Sequence, residues 1–168
     1  MGEIEISKLS KRYDVRKLNI EDVEMIYSFC KSNTQYYEHC GKDISIKLIE
    51  HDLRVAPPEI PMEQKYYIGF FDEGLLVAVI DLIAGYPNNN SVFIGFFMMN
   101  KELQGAGIGS KIISEMLNYL KKLGFEKCQL GIDKTNPQSN YFWRKNGFEV
   151  IREAMQEEGT ILVAEKQF

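Results

Sequence analysis

Gln104-Gly105-Ala106-Gly107-Ile108-Gly109 lies between an apolar run, Val92 to Met99, and the clearest helical pattern in the chain, Ile108 to Leu123. Ile108, Ile112, Ile113, Met116, Leu117, Leu120 and Leu123 recur at helical spacing. Lys121 and Lys122 suit the negative end of that helix's dipole, and Gly124 stops it. Lys127 to Ile132 reads as the next strand. A strand, helix, strand succession crosses over right-handed, so the two strands are expected to be parallel.

Upstream, Tyr66 to Phe71, Leu75 to Ala84 and Val92 to Met99 are strand candidates parted by Asp72-Glu73-Gly74 and Pro87-Asn88-Asn89-Asn90. Short turns between them imply an antiparallel meander. Val92 to Met99 is apolar at almost every position, as in a central strand hidden on both faces. Further out, Tyr13 to Leu18 reads as a strand. Asn19 then caps a helix, with Asp22 at its third position and Ile20, Val23, Ile26, Tyr27 and Cys30 as its stripe. Ser32 to Lys42 is polar and aromatic and is assigned no element. A helix is expected from Asp43 through Leu53, ended by Pro57, Pro58 and Pro61. Downstream, Ser139 to Asn146 is a short helix stopped by Gly147. Phe148 to Arg152 and Thr160 to Lys166 close as a hairpin through Glu157-Glu158-Gly159.

At 168 residues the chain is expected to form a single domain, with residues 1–12 as a loosely ordered extension. With 45% hydrophobic and 12% aromatic residues it has the material for a packed interior. Lys plus Arg number 20 against 24 Asp plus Glu; a net charge of −4 argues against a nucleic-acid binder working through a positive field. No run nears the roughly 18 apolar residues of a membrane span; the longest, Leu75 to Ile80, is closed by Asp81. The N-terminus carries acid where a signal peptide wants base, and Ile6 stands where a myristoylation motif needs Ser or Thr. Cys30, Cys40 and Cys128 form no CxxC pair and read as reduced thiols, so a cytoplasmic location is expected. His39, Cys40 and His51 could supply zinc ligands, but neighbours in sequence rarely both ligate one ion, so no metal is expected.

The glycines at 105, 107 and 109 alternate where a helix begins, and the first amides of a helix have no internal acceptor. The combination suits a pyrophosphate. A Walker loop is excluded, because Ser110 follows Gly109 directly and the lysine is missing. A dinucleotide loop is excluded too: five residues, Asn100 to Gln104, separate strand from glycines, and Ser110 takes the third glycine's place. The plain alternative is a glycine-rich turn that only lets a helix pack.

The run Q-x-x-G-x-G, after an apolar strand and before an amphipathic helix, resembles the acetyl-coenzyme A (acetyl-CoA) loop of the GNAT superfamily of N-acetyltransferases. Asn136-Pro137-Gln138-Ser139 through Phe142-Trp143-Arg144-Lys145-Asn146-Gly147-Phe148 resembles that family's downstream block. Val15-Arg16-Lys17-Leu18 with Glu21-Asp22 resembles its first strand and helix, so the resemblance runs from Tyr13 to the C-terminus. It implies an α/β (α+β) fold, a mixed, mostly antiparallel sheet of six to seven strands flanked by about four helices. It also implies acetyl transfer from acetyl-CoA to a primary amine of a small molecule or protein, by direct attack in a ternary complex. A non-catalytic acyl-CoA-binding sensor or scaffold is the alternative.

Carried over residue by residue, the resemblance places pyrophosphate on the amides of Gln104, Gly105, Ala106, Gly107, Ile108, Gly109 and Ser110. It places the pantetheine arm along Phe97, Met98 and Met99, with Asn136 and Ser139 also at the cofactor. A tetrahedral oxyanion would need a donor, and the Met99 amide is the best candidate. Where many members have a tyrosine as acid, this chain has Trp143, which cannot serve; Tyr141 is the nearby candidate. The central strand holds no carboxylate. Asp81, alone in an apolar strand, either faces the acceptor, meets a partner not visible in sequence, or lies on a polar face of the sheet. Tyr36, Tyr37, Glu38 and His39 fall where the family shapes its acceptor site, able to hold an amine by charge and cation–π contact. Monomer and homodimer both remain open.

Overall fold

Seven strands hydrogen-bond into one open sheet in a computed structural model that describes residues 1–168. They are β1 (Asp14–Lys17), β2 (Lys65–Asp72), β3 (Leu75–Ala84), β4 (Ser91–Met99), β5 (Lys127–Asp133), β6 (Glu149–Gln156) and β7 (Gly159–Gln167). Their order is β1-β2-β3-β4-β5-β7-β6. Only β4 and β5 pair in parallel, as the crossover reading requires. Five helices flank the sheet: α1 (Val23–Lys31), α2 (Thr34–Cys40), α3 (Ile46–Arg54), α4 (Ile108–Lys122) and α5 (Pro137–Lys145). No helix is long and apolar enough to cross a membrane.

Each face of the sheet carries its own core. The larger contains Ile80 and Leu82 of β3 with Ile112, Met116 and Leu120 of α4 and Trp143 of α5. The smaller sets Tyr67, Val79 and Met98 against Val23 and Ile26 of α1 and Ile49 of α3. Local chemistry starts the helices where the sequence places them. Asn19 accepts from Glu21 N at 2.8 Å and Asp22 reaches back to Asn19 N at 2.8 Å, a reciprocal cap ahead of α1. Ser45 accepts from Leu48 N at 3.1 Å, so α3 begins three residues later than Asp43.

Three expectations are corrected. The stretch 32–42 contains α2, a helix too short to stand alone; Tyr36, set edge-on against Phe96 with ring centroids 5.5 Å apart, holds it to the sheet. Residues 1–12 are anchored rather than loose: Leu9 is fully buried, Ile4 is buried, and Gly2 N donates to Leu123 O at 3.1 Å, while most of the other side chains are exposed. The strand hidden along almost its whole length is β3, not β4; Gly95 of β4 is exposed, and Phe96 and Phe97 are half-buried.

Candidate active site

The turn into α4 leaves its main-chain donors without acceptors. Gly105 and Gly107 hold φ of +84° and +78°, and a Cβ on either meets nothing within 4 Å. They are glycines for backbone shape, under an open surface. Gly109 serves packing instead: a Cβ there would lie 3.2 Å from Met99 Cγ and 3.3 Å from Phe142 Cε2. The first backbone bond onto the turn comes from Lys111 N to Gly107 O at 3.2 Å, and the amides of residues 105 to 110 find no acceptor within the protein. No acidic residue stands in the first turn of α4, so its positive end is not neutralised.

Next to this turn, β4 loses a neighbour. Its pairing with β5 runs from Ser91 to Ile94 and stops at Ile94 opposite Leu130. On the other side, Leu82 faces Ile94 and Asp81 faces Phe96, so Gly95 is the extra residue of a bulge. Asn100 N bonds to Val77 O at 2.8 Å. Antiparallel alternation then commits the main chain of Phe96 and Met98 to β3 and turns that of Phe97 and Met99 towards the side β5 has vacated. Met99 O is held by Asn33 Nδ2 at 3.3 Å and Gln104 Nε2 at 3.2 Å, and Gln104 Nε2 also reaches Asn33 Oδ1 at 2.7 Å. The Met99 amide faces the opening.

A cavity of about 580 Å³ lies on the α1–α3 side. Tyr36, Tyr37, Tyr67 and Phe96 give it aromatic walls; Asp52, Asp81, Asp133 and Glu158 outnumber Lys42 and Lys65. Asn136 and Ser139 line its far side. His39, Cys40 and His51 also face it, without forming a metal-holding group of three. At its floor Lys65 Nζ donates to Asp81 Oδ2 at 2.6 Å, with side chains 4% and 11% exposed. Asp81 Oδ1 is the one buried side-chain oxygen or nitrogen with no hydrogen-bond partner. Burial pushes the Asp81 carboxyl above its ordinary range, and the Lys65 ammonium only partly opposes this. Burial likewise pushes the Tyr36 hydroxyl far up, so it stays protonated.

The sequence profile of the acetyltransferase (GNAT) family matches residues 24–148. The chain belongs to the GNAT acetyltransferase family. Among solved structures, an acetyltransferase from Thermus thermophilus superposes with a TM-score of 0.75 at 17% identity, over 93% of this chain and 97% of its own. PaiA N-acetyltransferase from Thermoplasma acidophilum, solved in complex with coenzyme A, gives 0.67 at 20% identity over 93% and 99%. A spermidine N-acetyltransferase chimera from Vibrio cholerae and hSSAT gives 0.68 at 16% identity over 94% and 96%. At these identities the likeness is one of fold. No curated protein sequence matches the chain.

Within this GNAT fold the residues singled out by sequence divide. Gly105, Ala106, Gly107, Ile108, Gly109 and Ser110 present free amides, but Gln104 does not: its amide donates to Lys101 O at 3.4 Å and its side chain is turned inward. Phe97 offers its main chain and Met99 its amide to the opening, whereas Met98 is committed to β3. Asn136 caps α5 through Oδ1, accepting from Ser139 N at 3.1 Å, which also occupies the Ser139 amide. Tyr141 is 70% exposed on the outside of α5 and does not line the cavity. Trp143 packs among Phe97, Phe142 and Phe148, with ring centroids 4.8 to 5.8 Å away. Tyr36, Tyr37 and Asp81 line the cavity; Glu38 is exposed on the other side of α2. Sequence reasoning missed Asn33, Lys65 and Gly95. The isolated Asp81 was the only signal for Lys65, since a lone carboxylate in an apolar strand calls for a counter-charge.

Proposed function

We propose that this GNAT enzyme transfers the acetyl group of acetyl-CoA to a primary amine of a small cationic molecule or a protein, by direct attack in a ternary complex. The observation that carries the reading is the run of unpaired amides from 105 to 110 beside the freed main chain of Phe97 and Met99. The loop amides and the positive end of α4 suit a diphosphate. The free edge at Phe97 and Met99 suits an extended amide-bearing arm, added like a strand. The two together direct a thioester carbonyl into the gap between β4 and β5, where the Met99 amide receives the developing oxyanion.

The thioester supplies an activated carbonyl and a thiolate leaving group. With a thiol pKa near 8.5, roughly the free value, that sulfur leaves without a dedicated acid, which fits the packed Trp143 and the outward Tyr141. Positioning both reactants supplies about 7–11 kcal/mol, so the site depends on alignment more than on proton transfer. Aromatic walls and an excess of carboxylates favour a cationic acceptor. The test is free-thiol release from acetyl-CoA across a panel of primary amines. Thiol released in step with amine acetylation is expected. Coenzyme A binding with no thiol release on any amine would establish the sensor instead.

A further inference from the structure

We propose that Gln104 and Asn33 couple the two halves of the site: their contact carries the loop's hold on a diphosphate to the start of α2, and so to the aromatic wall of the acceptor cavity. This rests on the coenzyme A part of the reading given above. Gln104 heads the glycine loop, yet its own donors are taken within the protein. Its amide donates to Lys101 O, and its side-chain Nε2 donates to Asn33 Oδ1 at 2.7 Å and to Met99 O at 3.2 Å. Those two bonds use both hydrogens of the side-chain amide. The first residue of the loop is thus tied to a residue 71 positions away, on the acceptor side of the sheet.

Asn33 is buried between α1 and α2 and bonds in every direction. Its amide donates to Cys30 O at 2.9 Å, closing α1, and its carbonyl accepts from Tyr36 N at 3.2 Å, opening α2. Its Nδ2 donates to Phe29 O and to Met99 O, both at 3.3 Å. An asparagine ahead of a helix ordinarily turns its side-chain oxygen onto the second or third helical amide. Here α2 has no such cap, and Gln104 holds the oxygen instead. A helix of seven residues is too short to hold in water and has most to gain from a cap. The tie to the loop stands in the place of that cap.

The element that responds is α2. It brings Tyr36 and Tyr37 to the cavity wall, and Tyr36 against Phe96 docks it on β4. A short helix without a local cap belongs to the parts of a fold that open first. The amides from 105 to 110 have no acceptor in the protein, so nothing internal fixes them. A diphosphate bound there fixes the loop, and through it Gln104, Asn33 and the first turn of α2. Cofactor binding then completes the acceptor cavity, and by reciprocity an acceptor that steadies α2 tightens the hold on the cofactor.

The test compares wild type, Gln104→Met, Asn33→Ala and the double variant. Calorimetry measures coenzyme A binding, and hydrogen exchange follows the amides of 105–110 and of 34–40 with and without coenzyme A. Gln104→Met keeps the length of the side chain and removes its donors. In wild type, coenzyme A is expected to slow exchange in both segments, in α2 by about fivefold or more, the lower end of usual coupling. In Gln104→Met, coenzyme A is expected to protect the loop as before but to slow α2 by less than about twofold. The double variant is expected to match Gln104→Met, because the two residues form one link. Should Asn33→Ala fail to fold, Gln104→Met decides alone. A merely structural role would speed α2 exchange equally with and without coenzyme A, leaving the wild-type ratio; that result overturns the proposal, as does a wild-type α2 that coenzyme A does not slow. If wild type does not bind coenzyme A, the cofactor reading fails and this proposal with it, whereas binding without a response in α2 overturns this proposal alone. If wild type binds coenzyme A but acetylates no amine, the transfer reading fails, and the exchange ratio still decides this one.

Discussion

The two halves of β4 share one strand and differ in what their main chain does. From Ser91 to Ile94 the strand has neighbours on both sides, β3 and β5. From Gly95 to Met99 it has β3 alone; side chains of Asn33 and Gln104 hold Met99 O, and the outward main chain of Phe97 and the Met99 amide are left for something else. Apart from Ser91 both halves are apolar, so side chains barely distinguish them. The divergence of β5 and the bulge at Gly95 do. A strand can be structural at one end and a docking edge at the other, and only the pairing shows where the change falls.

Proline separates the halves most sharply, because it removes one amide. Ile94 is buried, and alternation turns its amide towards β5. Ile94→Pro is expected to cost about 4 kcal/mol or more through lost packing and a lost ladder bond, read as loss of the folded state in urea denaturation. The Met99 amide bonds to neither neighbour, so Met99→Pro is expected to stay folded and to lower kcat by about 10²- to 10³-fold, the usual cost of an oxyanion donor. Equal damage from the two substitutions would erase the distinction.

A smaller effect is expected away from both halves. Asp22 bonds Arg16 at 2.8 and 3.0 Å and completes the cap at Asn19. Asp22→Asn is expected to cost about 1 kcal/mol at neutral pH without changing turnover. The Arg16 guanidinium holds the Asp22 carboxyl below its ordinary range. Its contribution is therefore full above roughly pH 4, the unfolded value, and is lost as pH falls through the lower folded value. Urea denaturation of wild type and variant should converge in strong acid. The smallest effect belongs to Tyr141→Phe: since Tyr141 points to solvent, kcat for the amine is expected to stay within about twofold.

What could be read in advance was local. The glycines at 105, 107 and 109, the cap at Asn19 and the stripe of α4 each depend on residues within a turn or two of one another. So did the parallel pairing of β4 with β5, through the handedness of the crossover. What could not be read depended on register. Lys65 is buried because it stands opposite Ile83, next to the Tyr67–Asp81 pair. Gly95 matters because a bulge falls there, and nothing in Val92 to Met99 announces it. Asn33 holds Met99 O from 66 residues away. The helix α2 has no side-chain cap at Asn33 and depends on tertiary contacts made by its tyrosines.

The most direct measurement is calorimetric titration of coenzyme A into wild type, Gly107→Ala and Gly107→Glu. The alanine and glutamate variants place the same kind of strain at a φ of +78°, so they differ in bulk and charge. Binding by Gly107→Glu is expected to be at least tenfold weaker than by Gly107→Ala, about 1.4 kcal/mol, with the fold retained in both. Equal affinity in all three proteins would mean that the diphosphate does not sit on these amides.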